Sequence, residues 1–150
     1  MTQISPVTAR DIPDLLVLIR KLINFHGETS HAGLADTQAQ FVDGPMHGLI
    51  ARDEGRAVGY AALVPQWRPM RPADAVDVLH LYVVEEMRGR GVGRALIAAA
   101  RDWATAQGAD RLTISTTTSN TAAAAAYRAM GWVEITEPRG PSFRMMLADA

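Results

Sequence analysis

The sequence predicts an α/β protein with a mixed β-sheet. Two patterns predict this class: apolar residues at helical spacing alternate along the chain with short runs rich in β-branched and aromatic residues. The chain has 150 residues, of which 48% are hydrophobic and 21% charged, values typical of a globular domain. We therefore expect residues 1–150 to fold as a single domain with the element order β-α-α-β-β-β-α-β-α-β-β.

The first half of the chain supplies the elements up to the fourth strand. Asp11 is a good helix cap, and the residues after it place apolar side chains on one helical face. Pro65, Pro69 and Pro72 exclude regular structure over 65–74. The predicted elements are an N-terminal strand, helices over 11–23 and 36–43, a hairpin over 47–64 and a strand over 75–84.

The second half alternates helices and strands. A helix over about 92–107 ends at Gly108, and an alanine-rich helix over 120–131 has Asn120 at its cap and Gly131 at its end. The segment "RLTISTTT" over 111–118 alternates as a strand does. Two last strands are predicted over 132–136 and 142–147.

Charge and composition exclude several classes of protein. The net charge of −1 gives no overall basic field for nucleic acid, and the absence of cysteine excludes a thiolate nucleophile or a cysteine-ligated metal. The spacing of His26, His31 and His47 is not that of metal ligands. No apolar run is long enough to span a membrane, so we expect a cytoplasmic protein with no metal, membrane or nucleic-acid partner.

The segment "VLHLYVVEEMRGRGVGRALI" over 78–97 is a strand, a glycine loop and the start of a helix. The first N–H groups of a helix have no partner, and the helix dipole adds positive charge there, so this arrangement predicts an anion site. The loop lacks the lysine and hydroxyl of a P-loop and the spacing of a dinucleotide fold. It reads R-x-x-G-x-G at Arg88, Gly91 and Gly93.

This loop and a second motif resemble those of the Gcn5-related N-acetyltransferase (GNAT) superfamily. The second motif is N-x-x-A-x-x-x-Y-x-x-x-G-[FW], and its fixed positions are filled by Asn120, Ala123, Tyr127, Gly131 and Trp132. The resemblance implies a mixed, mostly antiparallel sheet of six to seven strands. It further implies that this sheet is splayed at strands 4 and 5 and flanked by about four helices.

The resemblance also implies that acetyl-CoA is the co-substrate and that no metal is needed. The loop amides would bind its pyrophosphate, and the strand before the loop would pair with its pantetheine arm. The cofactor-binding residues implied in this way are Leu81, Tyr82, Val83, Arg88, Gly89, Arg90, Gly91, Val92, Gly93, Arg94, Asn120, Ala123 and Tyr127.

Acetyl transfer to an amine needs a proton donor for the departing thiolate and an acceptor for the amine's proton. The resemblance assigns the donor role to Tyr127. Asp77 aligns with a carboxylate that takes the amine's proton in several subfamilies, although a solvent-exposed strand end explains it equally well. His80 has a more suitable intrinsic pKa for a base, but strict alternation would put it on the opposite face of the strand from Asp77.

The acceptor is predicted to be an amine of a small molecule or a protein. We expect it to lie where the loop 24–37 and the proline-rich segment meet the strand edge, against His26, Glu28, Trp67 and Asp77. The sequence leaves open a non-catalytic acyl-CoA-binding or regulatory module as the alternative to an enzyme, and it leaves a homodimer open.

Overall fold

The computed structural model describes residues 1–138 and 140–148. The chain divides into two compact units between Ser115 and Thr116. The first unit contains the sheet and three α-helices, and the described residues of the second contain one helix. That residues 1–150 form a single domain stays a prediction.

The elements of the first unit follow the predicted order. The strands are β1 (Thr2–Pro6), β2 (His47–Asp53), β3 (Arg56–Gln66), β4 (Ala75–Val83) and β5 (Arg111–Ile114). The helices are α1 (Ile12–Phe25), α2 (Leu34–Phe41) and α3 (Val92–Ala106), with short 3₁₀ turns over Ala9–Asp11 and Glu85–Met87. β3 continues through Pro65 to Gln66, so regular structure ends later than the prolines predict, and β5 ends at Ile114.

The five strands lie in the order β1-β2-β3-β4-β5, antiparallel except for the parallel pair β4–β5. That pair is short, because Ala75–Val78 pair with Arg111–Ile114 and no further. β4 meanwhile continues along β3 as far as the pair Val83–Gly59. The predicted splay between strands 4 and 5 is therefore confirmed.

A one-residue bulge interrupts β4. Ala62 pairs with His80 and Leu63 pairs with Val78, so Leu79 is an extra residue opposite β3. Residues that pair across two strands project to the same face, and therefore Asp77, opposite Val64, lies on the same face as His80, opposite Ala62. The strict alternation that separated these two side chains is wrong.

Helices cover both faces of the sheet. α1 and α2 cover the face of Gly48, where an added Cβ would lie 2.9 Å from the Phe41 ring. α3 covers the opposite face, where Trp103 stacks on His47 with 4.2 Å between the ring centroids. The core between them is apolar, and its largest fully buried side chains include Leu15, Leu18, Ile50, Tyr60, Leu63 and Leu96.

The second unit differs from the prediction after its helix. α4 spans Thr121–Ala129, as predicted, but the segments 132–136 and 142–147 form no strand in the part of the chain that the structure describes. The described residues thus contain five strands instead of six to seven. Alternating apolar residues indicate a strand only when a neighbouring strand pairs with them, and here Val133, Phe143 and Leu147 are exposed.

Candidate functional site

The glycine loop joins the end of β4 to the start of α3. Gly89 and Gly91 have φ angles of 77° and 85°, in the left-handed region that favours glycine. Gly91 is the N-cap residue of α3, and no side chain caps this helix end. The two glycines therefore turn the chain so that the open end of α3 follows the strand directly.

The N-terminus of α3 presents backbone donors. The first bond recorded at this end runs from the Ala95 N–H to the Gly91 carbonyl, at 3.0 Å. The N–H groups of Val92, Gly93 and Arg94 precede that bond, and such groups have no partner within a helix. Gly93 leaves space around them, since an added Cβ would contact only Val83 Cγ2, at 3.8 Å. Three open amides at the positive end of a helix dipole are suited to binding an anion.

The arginines of the loop have different environments. Arg88 Nε donates a hydrogen bond of 3.0 Å to the Val83 carbonyl, and its guanidinium lies 4.9 Å from the ring centroid of Phe25 and 5.7 Å from that of Tyr82. Arg90 and Arg94 are exposed. Arg88 therefore fastens the loop to β4 and to the end of α1, while the other two project into solvent.

The splay leaves one edge of β4 open beyond Val78. The Val84 N–H donates to the Val58 carbonyl at 2.9 Å, so the alternation of an antiparallel ladder turns the main chain of Tyr82 and His80 toward β3 as well. The main-chain groups of Leu81 and Val83 then point away from β3, as the bond from Arg88 to the Val83 carbonyl also indicates. This edge can accept an extended ligand as an added strand.

A tyrosine and a histidine lie next to this edge on the α1 face. The Tyr60 hydroxyl is 3.1 Å from His80 Nδ1, and Tyr60 is fully buried. Burial, together with the charge of His26, lowers the pKa of His80, and burial raises the pKa of Tyr60. At neutral pH both side chains are therefore uncharged.

Asp77 lies on the same face, further from the loop. Its Oδ1 accepts a hydrogen bond of 2.6 Å from Thr113 Oγ1, across the parallel pair β4–β5. The carboxylate is half-buried, and no partner of its Oδ2 is recorded within the described residues. Asp77 is therefore held from one side by β5.

The other predicted acceptor residues lie in exposed positions. His26 and Glu28 follow α1, and His26 is close enough to His80 to lower the pKa of His80. Trp67 is 81% exposed. Its neighbour Arg68 binds the Asp74 main chain and the Asp110 carboxylate, which ties the proline-rich segment to the start of β5.

The second motif, residues 120–132, lies within the second unit. The Asn120 side chain accepts a 3.2 Å hydrogen bond from the Ala123 N–H, so it caps α4. Tyr127 is half-buried near Trp132, with 6.2 Å between ring centroids, and burial raises its pKa. Gly131, with a φ angle of 91°, lets the chain turn so that the Trp132 N–H reaches the Tyr127 carbonyl at 3.1 Å.

Sequence reasoning did not single out Tyr60. The Tyr60 hydroxyl is relevant to the site because it contacts His80, and the two residues are twenty positions apart in the sequence. The hairpin pattern "RAVGYAALV" shows that Tyr60 belongs to a strand, but its place beside His80 depends on the register of β3 and β4, in which Tyr60 pairs with Tyr82 and Ala62 with His80. Neither motif carries that information.

A family model for the acetyltransferase (GNAT) family matches residues 17–132. The chain belongs to this family. The GNAT match spans both the glycine loop and the second motif, which agrees with the resemblance that those residues carry. Part of that family's architecture, the splayed fourth and fifth strands, is present in the structure.

Two curated relatives show how far the similarity extends. N-acetyltransferase family 8 member 3 of Rattus norvegicus is 29% identical over 103 residues, which are 68% of this chain and 45% of the rat protein. The aminoglycoside N(6')-acetyltransferase type 1 of Klebsiella aerogenes is 32% identical over 108 residues, 67% of this chain and 71% of that protein. The chain thus spans about half the length of the rat relative and most of the bacterial one.

A solved structure shares the fold. Aminoglycoside N-acetyltransferase AAC(6')-Iy, in complex with the bisubstrate analog CoA-S-monomethyl-acetylneamine, has a TM-score of 0.81 and 23% identity, and the match covers 97% of this chain and 99% of that chain. The likeness establishes the GNAT fold for this chain.

Within residues 1–138 and 140–148, no helix combines the length and apolar character needed to span a membrane. The same residues contain no group of three or more His, Asp or Glu side chains that could hold a metal ion.

Proposed function

We propose that this GNAT chain transfers the acetyl group of acetyl-CoA to a primary amine. The observation that carries the proposal is the set of open amides of Val92, Gly93 and Arg94 behind the left-handed Gly91. These amides suit the diphosphate of the coenzyme. The open edge at Leu81 and Val83 lies at the strand end of the same loop, where a pantetheine arm can pair with it.

The proposed transfer is a direct attack within a ternary complex. The neutral amine attacks the thioester carbonyl, a new C–N bond forms, and the C–S bond breaks to release the CoA thiolate. A main-chain N–H of the open edge, at Leu81 or Val83, polarises the carbonyl. No covalent enzyme intermediate is needed, and this agrees with a sequence that has no cysteine.

Tyr127 is the proposed donor of a proton to the departing thiolate. A phenol keeps its proton at neutral pH, and burial raises the pKa of this one further. A thiolate and a phenolate are similar in basicity, and proton transfer between them is therefore close to balanced.

Asp77 is the proposed acceptor of the amine's proton, directly or through water. Thr113 holds one oxygen of the carboxylate, and the other is open within the described residues. His26, Glu28 and Trp67 are proposed to line the acceptor side. A homodimer and a cytoplasmic location stay predictions.

The acceptor class to test first is the aminoglycosides. A relative with 32% identity is an aminoglycoside N(6')-acetyltransferase, and the solved structure with the same fold holds a neamine derivative. We therefore choose neamine as the first amine. A peptide with a free N-terminal alanine and an N-terminally blocked peptide with one lysine represent the protein amines.

Thermal stabilisation by CoA, acetyl-CoA, ATP and NAD at equal concentration tests the coenzyme. A ligand present at 100 times its dissociation constant adds about 2.7 kcal/mol to the free energy of unfolding. We expect stabilisation by CoA and acetyl-CoA alone. Stabilisation by ATP or NAD alone would contradict the proposal.

Substitution of Gly93 tests the loop. Gly93→Glu is expected to leave the fold intact, because the position has ordinary backbone angles and space for a side chain, and because a carboxylate is favourable at a helix N-terminus. It should abolish stabilisation by CoA through repulsion of the diphosphate. Gly93→Gln, in which the side chain has the same shape but no charge, is the matched control and should retain part of the stabilisation by CoA.

Release of free thiol from acetyl-CoA in the presence of each amine then separates an enzyme from a binding module. Amine-dependent release supports the transferase. A chain that binds acetyl-CoA but releases no thiol with any of the three amines would support the non-catalytic module instead.

A further inference from the structure

The pairing of Tyr60 with His80 fixes the hydrogen on the imidazole ring. A neutral histidine has one nitrogen that donates and one that accepts. The Tyr60 hydroxyl is fully buried, and His80 Nδ1, at 3.1 Å, is its recorded partner within the described residues. If Nδ1 carried the hydrogen, the Tyr60 hydrogen would be buried without an acceptor, which is unfavourable. The satisfied arrangement has the phenol donating to Nδ1, so the ring's hydrogen is on Nε2.

The second nitrogen of His80, Nε2, is accessible to solvent. His80 Nε2 has no recorded partner in the described part of the chain, and it is absent from the buried polar atoms that lack one, which are His47 Nε2 and Arg68 Nε. Nε2 is therefore reached by solvent. It lies on the α1 face of β4, the face that Asp77 shares, and next to Leu81, whose main chain belongs to the open edge.

We propose that His80 binds the acceptor substrate as a hydrogen-bond donor through Nε2–H, to an oxygen close to the amine, and that Tyr60 is the positioning residue that keeps it a donor. His80 is then not the base of the reaction, because its lone pair at Nδ1 is occupied by the phenol. A hydroxyl or carbonyl oxygen beside the amine is the group this donor recognises. The inference rests on the proposed function for the identity of the acceptor.

The charged groups around the ring agree with a neutral donor. His26 adds positive charge near His80, and Arg88 lies over the neighbouring Tyr82 ring. Asp77 is on the same face, but Thr113 binds it. Protonation of His80 would place a positive charge near Arg88 and His26, and it would leave the Tyr60 hydrogen without its acceptor. Both effects favour the neutral ring.

The tautomer can be measured without any substrate. Two-bond proton–nitrogen correlation spectra of the ¹⁵N-histidine-labelled chain distinguish the two neutral forms, and His80→Gln assigns the signal. We expect the Nε2–H form for His80, and Tyr60→Phe is expected to release Nδ1 and give a mixture of both forms. An Nδ1–H form in the unaltered chain would overturn the inference.

Two substitutions separate a donor from a base in the thiol-release assay with neamine and the two peptides. The amide nitrogen of Gln occupies the place of Nε2, whereas that of Asn occupies the place of Nδ1. His80→Gln should keep kcat/KM within about 3-fold, and His80→Asn should lower it about 3- to 10-fold, the effect of one neutral hydrogen bond, mainly through KM for the amine.

A base would behave differently, because removing one costs about 10²- to 10⁴-fold in rate. A loss of 100-fold or more in both variants would therefore overturn the inference, as would equal, small losses in Gln and Asn. Failure of the unaltered chain to acetylate any of the amines would contradict the proposed function and with it an acceptor role for His80. The tautomer measurement would still report separately on the pairing with Tyr60.

Discussion

At the scale of single residues, three side chains have different roles in the proposed chemistry. In the proposed mechanism Tyr127, whose pKa is raised by burial, gives a proton, Asp77 accepts one, and His80 donates a hydrogen bond without changing its protonation. The proposed roles differ because the surroundings differ: partial burial near Trp132 for Tyr127, a threonine hydroxyl for Asp77 and a buried phenol for His80. A tyrosine, aspartate or histidine in other surroundings would not have the same role.

Substitution of Tyr127 tests the first of these roles. Tyr127→Phe is expected to lower kcat with KM for acetyl-CoA nearly unchanged, because the proton is needed only in the transition state. Loss of a general acid should reduce kcat about 10²-fold or more. Steady-state thiol release at saturating amine measures it. Tyr82→Phe removes a hydroxyl from a residue with no proposed proton transfer and is the control; an unaltered kcat in Tyr127→Phe would remove Tyr127 from the mechanism.

The sequence predicts residue roles where local pattern suffices. Asn120 caps α4 as its position before an alanine-rich run indicates, and the glycines at 89 and 91 adopt the left-handed angles that a bare loop suggests. The pairing of Tyr60 with His80 could not be predicted, because it depends on the register of two strands. A shift of one residue would have turned the two side chains to opposite faces.

At the scale of elements, an ion-pair group joins β2 to the start of α1. Arg52 binds Asp11 and Asp14, each at 2.9 Å, and the side chain of Asp11 is 12% exposed whereas that of Asp14 is 54% exposed. Burial disfavours the charged Asp11 carboxylate, but hydrogen bonds from Thr8 and Arg52 outweigh it and lower its pKa. The pair therefore stabilises the folded chain when Asp11 is ionised.

Asp11→Asn should lower the free energy of unfolding by about 1–2 kcal/mol at pH 7, since a charged hydrogen bond in a mostly buried setting is lost. The matched Asp14→Asn change, at an exposed pair, should cost about 0.5 kcal/mol or less. Urea denaturation of the three proteins measures both. Equal effects of the two substitutions would show that burial does not set the strength of these ion pairs.

The effect of Asp11 depends on pH in a defined direction. Because its pKa is lowered from 3.8 in the folded state, its contribution is complete above pH 3.8 and disappears as the pH falls through the lower folded value. The difference in the free energy of unfolding between the unaltered chain and Asp11→Asn should accordingly persist at pH 5 and shrink below pH 3.8.

Element prediction succeeded where periodicity was strong. α1 and α3 carry continuous apolar faces, and β4 is rich in β-branched residues, so their positions were predicted to within a few residues. The segments 132–136 and 142–147 alternate as strands do but have no paired neighbour in the described residues. Pairing is a property of two segments, and one segment's pattern does not determine it.

At the scale of the whole molecule, burial is distributed unevenly between the two units. Among the residues that the structure describes, the buried apolar side chains belong to the first unit, and α4 contains no buried residue. Local stability follows buried apolar area, so the two units are expected to open with different free energies.

Hydrogen exchange read by mass spectrometry measures this difference. We expect the slowest amides in β2, β3 and α3, and exchange in α4 at least about tenfold faster, since each 1.4 kcal/mol of local stability is worth a factor of ten. The second helix of the first unit, α2, is a control of similar length that buries Thr37 and Phe41. Protection in α4 equal to that in α3 would contradict the expectation.

Hydrogen exchange measured in the presence of saturating CoA tests where the coenzyme binds. Protection should rise over 88–97, where the coenzyme is proposed to bind. Added protection of peptides that contain Tyr127 would support its proposed role, and unchanged exchange over 88–97 would contradict binding at the glycine loop.

The extra residue at Leu79 has a consequence for how relatives of this chain are compared. In a homologue whose fourth strand lacks it, the side chain that occupies the place of Asp77 stands one position closer to the glycine loop. An ungapped alignment anchored on that loop would set the homologue's carboxylate against Val78 and report the acid as missing from this chain. A single gap at position 79 restores the correspondence, so surveys of proton acceptors among such enzymes should count by strand face instead of by residue number.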